Sequence, residues 1–186
     1  MSVVEQFSAG DPDAMHELGI RLGSVLAAGD LVILTGPLGA GKTTLTRGIG
    51  EGLGVRGPVQ SPTFVIARTH PSLVGGAPLV HVDAYRLADA GEVEDLDLDF
   101  DGSVVVAEWG AGLVDARDSW LEVVIERPLG GDESAAADGT GGTEGTEGTE
   151  DTEDTEDTED FAEAPVEPRT LTVTGHGPRW QNGVLA

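Results

Sequence analysis

The fold of this chain is decided by residues 31–44, which read LVILTGPLGAGKTT. Residues 36–43 match the pattern G-x-x-x-x-G-K-[ST] at every fixed position. The apolar run before them, residues 31–34, is typical of a buried strand in a parallel sheet. Behind them, a four-residue apolar repeat predicts a helix that ends near Gly54; its members are Leu45, Ile49 and Leu53. Strand, glycine loop and helix in this order predict a phosphate-binding loop, since backbone N–H groups and the helix N-terminus both favour an anion there.

Lys42 is the only lysine among the ten basic residues of the chain. An ammonium is a compact point charge that fits into a tight turn beside phosphates, whereas arginine is a wide planar fork. The single lysine at this position therefore predicts nucleotide binding. Thr43 is placed to hold Mg²⁺ through its hydroxyl, and Thr44 to donate to another phosphate. The residues expected around the phosphates are Gly36, Leu38, Gly39, Ala40, Gly41, Lys42, Thr43 and Thr44.

A low-complexity segment, residues 131–168, separates two parts of what should be one domain. It holds 15 of the 34 acidic residues, no basic residue, and Gly-Thr-Glu repeats followed by Asp-Thr-Glu repeats. Because it has too few apolar residues to offset the entropy of ordering, we expect it to be disordered. The single domain is therefore predicted to comprise residues 1–130 and 169–186.

Composition excludes several classes of function. No cysteine is present, so disulfides, thiolate metal sites and cysteine nucleophiles are ruled out. The net charge of −24 argues against direct binding of nucleic acid, which needs clustered basic side chains. The N-terminus lacks the pattern of a secretory signal, and no apolar stretch is long enough for a membrane helix. We therefore expect a cytoplasmic protein that does not contact the membrane.

Two acidic residues come directly after predicted apolar strands, just as the glycine loop comes directly after the strand at residues 31–35. Asp83 comes directly after residues 79–82, and Glu108 comes directly after residues 104–107. If these strands are parallel, both carboxylates meet the phosphate loop at the carboxyl edge of the sheet, where open α/β sheets bind ligands. Nucleotide hydrolysis needs such carboxylates beside Mg²⁺ and the attacking water. Either acid could take the metal-binding role, and both could be used.

Three further features are less specific. Thr63 precedes a predicted strand at residues 63–67 and could sense a terminal phosphate, although turn geometry alone would explain the Ser-Pro before it. His81 shares a strand face with Asp83, and we expect a packed histidine rather than a metal ligand. Residues 99–102 match D-x-x-G, but the guanine-reading Asn-Lys-x-Asp motif is absent, so a turn is expected there.

The rest of the chain predicts a mixed α/β sheet. Asp11 and Pro12 are typical of a helix start, and the apolar face that follows extends toward Gly29. Acidic residues 89–98 predict a short helix. Residues 120–127 and 169–174 alternate apolar and polar side chains and predict two antiparallel strands on either side of the acidic segment. The fold class is therefore α/β, a P-loop NTPase-like three-layer sandwich with a largely parallel sheet and a late antiparallel pair.

Four segments together resemble the TsaE family, small bacterial ATPases of tRNA threonylcarbamoyladenosine biosynthesis. They read GPLGAGKTT at 36–44, SPTF at 61–64, HVDAYRL at 81–87 and AEW at 107–109. The resemblance covers roughly residues 11–127 and resumes at 169–180. The last three segments are far more specific than the loop, which many families share.

The resemblance implies roles for individual residues. Lys42 and Thr43 would hold the phosphates and the Mg²⁺ of ATP. Asp83 and Glu108 would be the metal and catalytic carboxylates, and Trp109 would lie beside the nucleotide. It also implies weak Mg²⁺-dependent ATP hydrolysis, TsaD-like and TsaB-like partner proteins, and contact with tRNA only through those partners. The chain departs from the family in two places. It has Pro37 at a position where the family commonly has an acidic residue, and it carries the acidic insertion.

Two other functions could use the same loop. A small-molecule kinase would need an acceptor pocket and usually an arginine-rich lid, but the arginines here are scattered singly. A nucleotide-gated interaction module without chemistry would not need Glu108. Phosphate release, measured with and without partner proteins, separates these functions.

Overall fold

The structure is a computed structural model that describes residues 2–62, 66–86, 98–127 and 167–185. These residues lie in one compact unit, residues 1–128 with 167–186, while a second unit, residues 129–166, lies outside the described residues. The strands are β1 (Ser2–Ala9), β2 (Leu31–Thr35), β3 (Ala67–His70), β4 (Leu79–Asp83), β5 (Val104–Glu108), β6 (Trp120–Glu126) and β7 (Arg169–His176). The α-helices of the described ranges are α1 (Pro12–Val25) and α2 (Lys42–Leu53).

All seven described strands belong to one sheet, in the order β1-β7-β6-β2-β5-β4-β3. The four central strands, β6, β2, β5 and β4, are parallel to one another. Antiparallel pairs lie at both sides: β7 joins β6 to β1, and β3 pairs with β4. The predicted α/β fold, with a largely parallel sheet and a late antiparallel pair, is confirmed.

Both faces of the sheet are covered by apolar side chains. On one face α1 and α2 bury Leu22, Leu45 and Ile49 against alternate residues of the central strands. The opposite set of strand residues packs with Leu113, in the 3₁₀ segment 111–116, and with Phe100. Strands β2, β4 and β5 are therefore buried on both faces, which explains their continuous apolar runs, whereas β6 alternates buried and partly exposed residues.

Both helices begin where the sequence predicts. The Asp11 carboxylate accepts a hydrogen bond from the Ala14 backbone N–H at 2.7 Å, and Pro12 occupies the first helical position. Helix α2 ends at Leu53 and is capped by Gly54, whose φ of 70° suits a residue without a side chain. The predicted extension of α1 to Gly29 is wrong: the helix ends at Val25, because Leu26 already has an extended backbone.

Glycines allow α1 and α2 to approach closely. A Cβ atom on Gly48 would overlap the His16 carbonyl oxygen and lie 2.8 Å from the Gly19 Cα. A Cβ atom on Gly19 would likewise overlap the Leu45 carbonyl oxygen. These neighbours are backbone atoms, so a rotamer change cannot relieve the overlap. Because α2 begins at the phosphate loop, this packing also supports the loop.

Gly48→Ala is expected to lower the free energy of unfolding by about 2 kcal/mol, since the cost of overpacking exceeds the gain of roughly 1 kcal/mol in helix propensity. Urea denaturation followed by circular dichroism measures the change. Gly112→Ala is the matched control, because a Cβ atom there meets nothing within 4 Å. Equal midpoints for the two variants would contradict the close helix contact.

The structure departs from the sequence-based assignments in two further places. Strand β1 was not predicted; it pairs along its whole length with β7, from Ser2 opposite His176 to Ala9 opposite Arg169. The strand predicted at 63–67 is wrong at its end, since β3 runs from Ala67 to His70. The expected turn at 99–102 is confirmed by a 2.9 Å hydrogen bond from the Gly102 N–H to the Asp99 carboxylate.

Several predictions fall on parts of the chain that the structure does not describe. They are the start of the strand at 63–65, most of the acidic helix at 89–98, and the acidic insertion except for residues 167 and 168. The Glu167 carboxylate lies 3.2 Å from the Arg127 guanidinium and 3.7 Å from that of Arg169. Glu167, two residues before β7 begins, therefore contacts arginines on both sides of the insertion.

Candidate nucleotide-binding site

The phosphate loop and both candidate carboxylates lie at the same edge of the sheet. Strand β2 leads directly into the loop, residues 36–41, and the parallel strands β4 and β5 end at Asp83 and Glu108. In the register of the sheet, Glu108 stands opposite Asp83 on one side and opposite Leu34 on the other. The sequence-based expectation that the three segments meet at the carboxyl edge of parallel strands is confirmed.

The backbone of the loop has the geometry that its glycines permit. Gly39 and Gly41 have φ values of 73° and 107°, in the region that L side chains rarely adopt. A side chain on Gly36 would meet the Ile125 carbonyl oxygen at 2.8 Å and the Ala40 Cβ at 3.2 Å. The loop therefore has no room for side chains here, and its backbone N–H groups are the donors that can face an anion.

Lys42 is the first residue of α2, and its side chain folds back over the loop. Its ammonium donates to the Gly36 carbonyl oxygen at 2.8 Å and to the Pro37 carbonyl oxygen at 3.1 Å. The residue is only 8% exposed, so the two carbonyls supply hydrogen bonds that water supplies elsewhere. The loop thus holds one positive charge in the place where phosphate charge is expected.

The other loop residues divide into backbone and side-chain roles. Leu38 is 94% exposed and Ala40 is buried, so both can serve a phosphate only through their N–H groups. Thr43 and Thr44 are partly exposed in the first turn of α2, as a metal or phosphate ligand must be. The next threonine, Thr46, is fully buried, and its hydroxyl donates to the Lys42 carbonyl oxygen at 2.9 Å.

Trp109 follows Glu108 in a strained backbone conformation. Its φ is 62°, the only positive value among the described residues other than glycine, and such strain costs on the order of 1–3 kcal/mol. The conformation places the indole ring centroid 5.2 Å from the Lys42 ammonium and 6.3 Å from the Tyr85 ring centroid. Because the indole is still 41% exposed, it forms an aromatic wall that a ligand can reach.

Glu108 is held by a buried histidine. His81 Nε2 lies 3.1 Å from Glu108 Oε1, and His81 Nδ1 lies 3.3 Å from the Gln60 carbonyl oxygen. His81 is fully buried, which confirms the expectation of a packed histidine. Its contact with Glu108 was missed, because the sequence places His81 on the face of Asp83 but does not say which strand lies beside β4.

The donor set suits a nucleotide with Mg²⁺. Mg²⁺ prefers oxygen ligands and usually takes one or two carboxylates together with phosphate oxygens. Thr43, Asp83 and Glu108 offer only oxygens, at neighbouring strand and helix ends. Within the described ranges no cluster of three or more His, Asp or Glu side chains could hold a metal alone.

Thr63 and Tyr85 are two further residues of the distinctive sequence segments. Thr63, the candidate sensor of the terminal phosphate, lies outside the described residues. Tyr85 received no role in the sequence, although it belongs to the distinctive segment at 81–87; the structure places its ring against Trp109. An aromatic residue two positions after Asp83, within that distinctive segment, was the signal that could have identified it.

Strand, glycine loop and helix at the carboxyl edge of a mainly parallel sheet define an α/β protein of the P-loop NTPase architecture. Sequence comparison gives the particular family. The model of the family "Threonylcarbamoyl adenosine biosynthesis protein TsaE" matches residues 9–130, and the chain belongs to the TsaE family.

Individual relatives agree with this assignment. The tRNA threonylcarbamoyladenosine biosynthesis protein TsaE of Streptomyces coelicolor is 63% identical over 120 residues, which cover 62% of this chain and 81% of that protein. The protein of the same name from Mycobacterium leprae is 51% identical over 120 residues, covering 59% of this chain and 74% of the relative. The family to which this chain belongs is thus one of threonylcarbamoyladenosine biosynthesis.

A solved structure supports the fold. The crystal structure of Bacillus subtilis YdiB aligns with a TM-score of 0.61 and 26% sequence identity. The alignment covers 95% of this chain and 88% of that chain. Among the helices of the described ranges, none combines the length and the apolar character needed to cross a bilayer.

Proposed function

We propose that this protein binds ATP with Mg²⁺ at the phosphate loop and hydrolyses it slowly, as an accessory ATPase of tRNA threonylcarbamoyladenosine formation. The observation that carries the proposal is the buried Lys42 ammonium inside the loop, beside the strand ends that bear Asp83 and Glu108. A cation held by carbonyl oxygens is ready to exchange those partners for phosphate oxygens. Family membership sets the pathway in which this chemistry is used.

Each residue of the site has a proposed task. The loop N–H groups and Lys42 hold the β- and γ-phosphates, while Thr43 and Asp83 supply oxygen ligands on the metal side. Mg²⁺, when bound, neutralises charge that develops on the phosphate oxygens. Glu108 orients the attacking water and takes its proton. The indole of Trp109 closes one side of the site, which limits access of bulk water to the Lys42 charge.

We further propose that the protein acts in the cytoplasm on TsaD-like and TsaB-like partners and meets tRNA only through them. The net charge of −24 supports an indirect contact, since the phosphate backbone of RNA repels an acidic surface. Exposed apolar side chains around the loop, Leu38 and Tyr85, are suited to contact another protein rather than water.

Two measurements test the proposal. Calorimetry of the purified chain with ATP and Mg²⁺ should give a saturable affinity, and ATP should compete more strongly than GTP because no guanine-reading motif is present. Phosphate release should rise when the TsaD-like and TsaB-like proteins are added, together with threonylcarbamoyl transfer to tRNA. Transfer of phosphate to a small molecule, without release, would instead indicate a kinase. Binding without release in either condition would indicate a nucleotide-gated module.

A further inference from the structure

His81 connects Glu108 to the loop that precedes residues 61–64. Its ring is fully buried, with one nitrogen on the Glu108 carboxylate and the other on the Gln60 carbonyl oxygen. Both partners are oxygen atoms, and each lies within 3.3 Å of its own ring nitrogen, so the ring has a polar contact on both sides. The ring therefore fixes the direction of one carboxylate oxygen, Oε1, relative to a backbone atom.

The backbone at Gln60 is itself held in place. The Arg47 guanidinium, from α2, donates to the carbonyl oxygen of Val59 at 3.0 Å, and Arg68, from β3, donates to the Gln60 side-chain oxygen at 3.2 Å. The loop that His81 contacts is therefore hydrogen-bonded to both α2 and β3 through these two arginines. A carboxylate held by such a series of hydrogen bonds keeps its orientation when its second oxygen contacts a ligand.

We propose that His81 is a positioning residue that aims the Glu108 carboxylate, with Oε1 assigned to His81 and Oε2 left for the attacking water. The inference rests on the proposed ATP hydrolysis. It deepens that proposal, because it adds to the reaction a residue that touches neither nucleotide nor metal. It also makes the Gln60 loop a part of the catalytic geometry, since the direction of Glu108 depends on where the Gln60 carbonyl lies.

Two substitutions separate the two hydrogen bonds. In His81→Gln the side-chain amide nitrogen reaches the position of Nε2, so a donor to Glu108 is kept. In His81→Asn the shorter side chain places its amide nitrogen near the position of Nδ1, so a donor to Gln60 is kept and the donor to Glu108 is lost. We expect His81→Asn to lower kcat about tenfold to a hundredfold with the KM for ATP unchanged. His81→Gln should recover most of the wild-type kcat. His70→Asn is the matched control, because His70 is a buried histidine that contacts the Arg56 carbonyl oxygen; its kcat should be unchanged.

A second readout needs no nucleotide. In ¹⁵N-imidazole NMR spectra of the nucleotide-free protein, which has four histidines, Glu108→Gln should move the Nε2 signal of His81 and leave both His70 signals in place. An unmoved Nε2 signal would overturn the inference. The inference would also be overturned if His81→Asn and His81→Gln lost kcat equally and lost thermal stability equally. That result would show that His81 has only a structural role. A wild-type chain that neither binds nor hydrolyses ATP would overturn the proposed function and the positioning role with it, while the NMR result would still decide the contact itself.

Discussion

Lys42→Ala is expected to weaken ATP binding by about a hundredfold, because the loss of charge-assisted hydrogen bonds to the phosphates costs roughly 3 kcal/mol. The loop has no second ammonium to replace it, since Lys42 is the only lysine in the chain. Removing the side chain also leaves the Gly36 and Pro37 carbonyl oxygens without their present donor. These carbonyls would then face the phosphates without a neutralising charge. Isothermal calorimetry with ATP and Mg²⁺ measures the loss.

Two variants show whether charge alone accounts for the effect. Arg21→Ala removes one positive charge from the exposed side of α1, where the guanidinium lies over the Phe7 ring, and should leave ATP affinity unchanged. Lys42→Arg keeps the charge but replaces the compact ammonium by a planar fork, which does not fit beneath the two loop carbonyls, so affinity should fall here too. Wild-type affinity in Lys42→Ala, with the fold intact by circular dichroism, would exclude the loop as the phosphate site.

Glu108→Gln is expected to lower the rate of ATP hydrolysis by about a hundredfold or more while ATP remains bound, since the amide keeps the size of the side chain but cannot take a proton. The amide oxygen can still accept from His81, so the fold around β5 should be preserved. Single-turnover phosphate release gives the rate, and calorimetry gives the affinity. Asp83→Asn should also slow hydrolysis, with a greater loss of Mg²⁺ dependence, because Asp83 is assigned to the metal side.

Glu122→Gln supplies the matched control for these two variants. Glu122 lies on β6, where its carboxylate is 3.5 Å from His176, and it has no assigned role in the site. Its hydrolysis rate should equal that of the wild type. Normal rates in both Glu108→Gln and Asp83→Asn would mean that neither carboxylate takes part in the reaction.

The elements that position the site could be predicted because their signals are local. Four-residue apolar runs predict β2, β4 and β5, and the residues that follow the runs of β4 and β5, Asp83 and Glu108, fall at the sheet edge. The start of each helix is equally local, since Asp11 and Pro12 act on the adjacent backbone. The meeting of the two acids with the loop depends only on the strands being parallel, a property that α/β sequences usually share.

What could not be predicted depends on contacts between distant segments. Strand β1 was missed because Glu5 interrupts its apolar alternation; in the structure the Glu5 carboxylate accepts a hydrogen bond at 2.7 Å from the N–H of Val184. The bond between His81 and Glu108 requires β4 to lie beside β5, which no local pattern states. The close approach of Gly19 and Gly48 likewise needs the crossing of two helices, whereas each glycine alone suggests only a weak point in a helix.

The pairing of β1 with β7 has a consequence for how the protein is made. Within the described residues β7 is the only partner of β1, and it lies between β1 and β6 in the sheet. A ribosome that adds about 5–20 residues per second needs on the order of ten seconds to proceed from β1 to β7. Strands β2, β4, β5 and β6 and helices α1 and α2 are complete before then. The phosphate-loop half of the sheet can therefore assemble during synthesis, and the N-terminal strand joins it only when the last strand arrives and links the two ends of the chain.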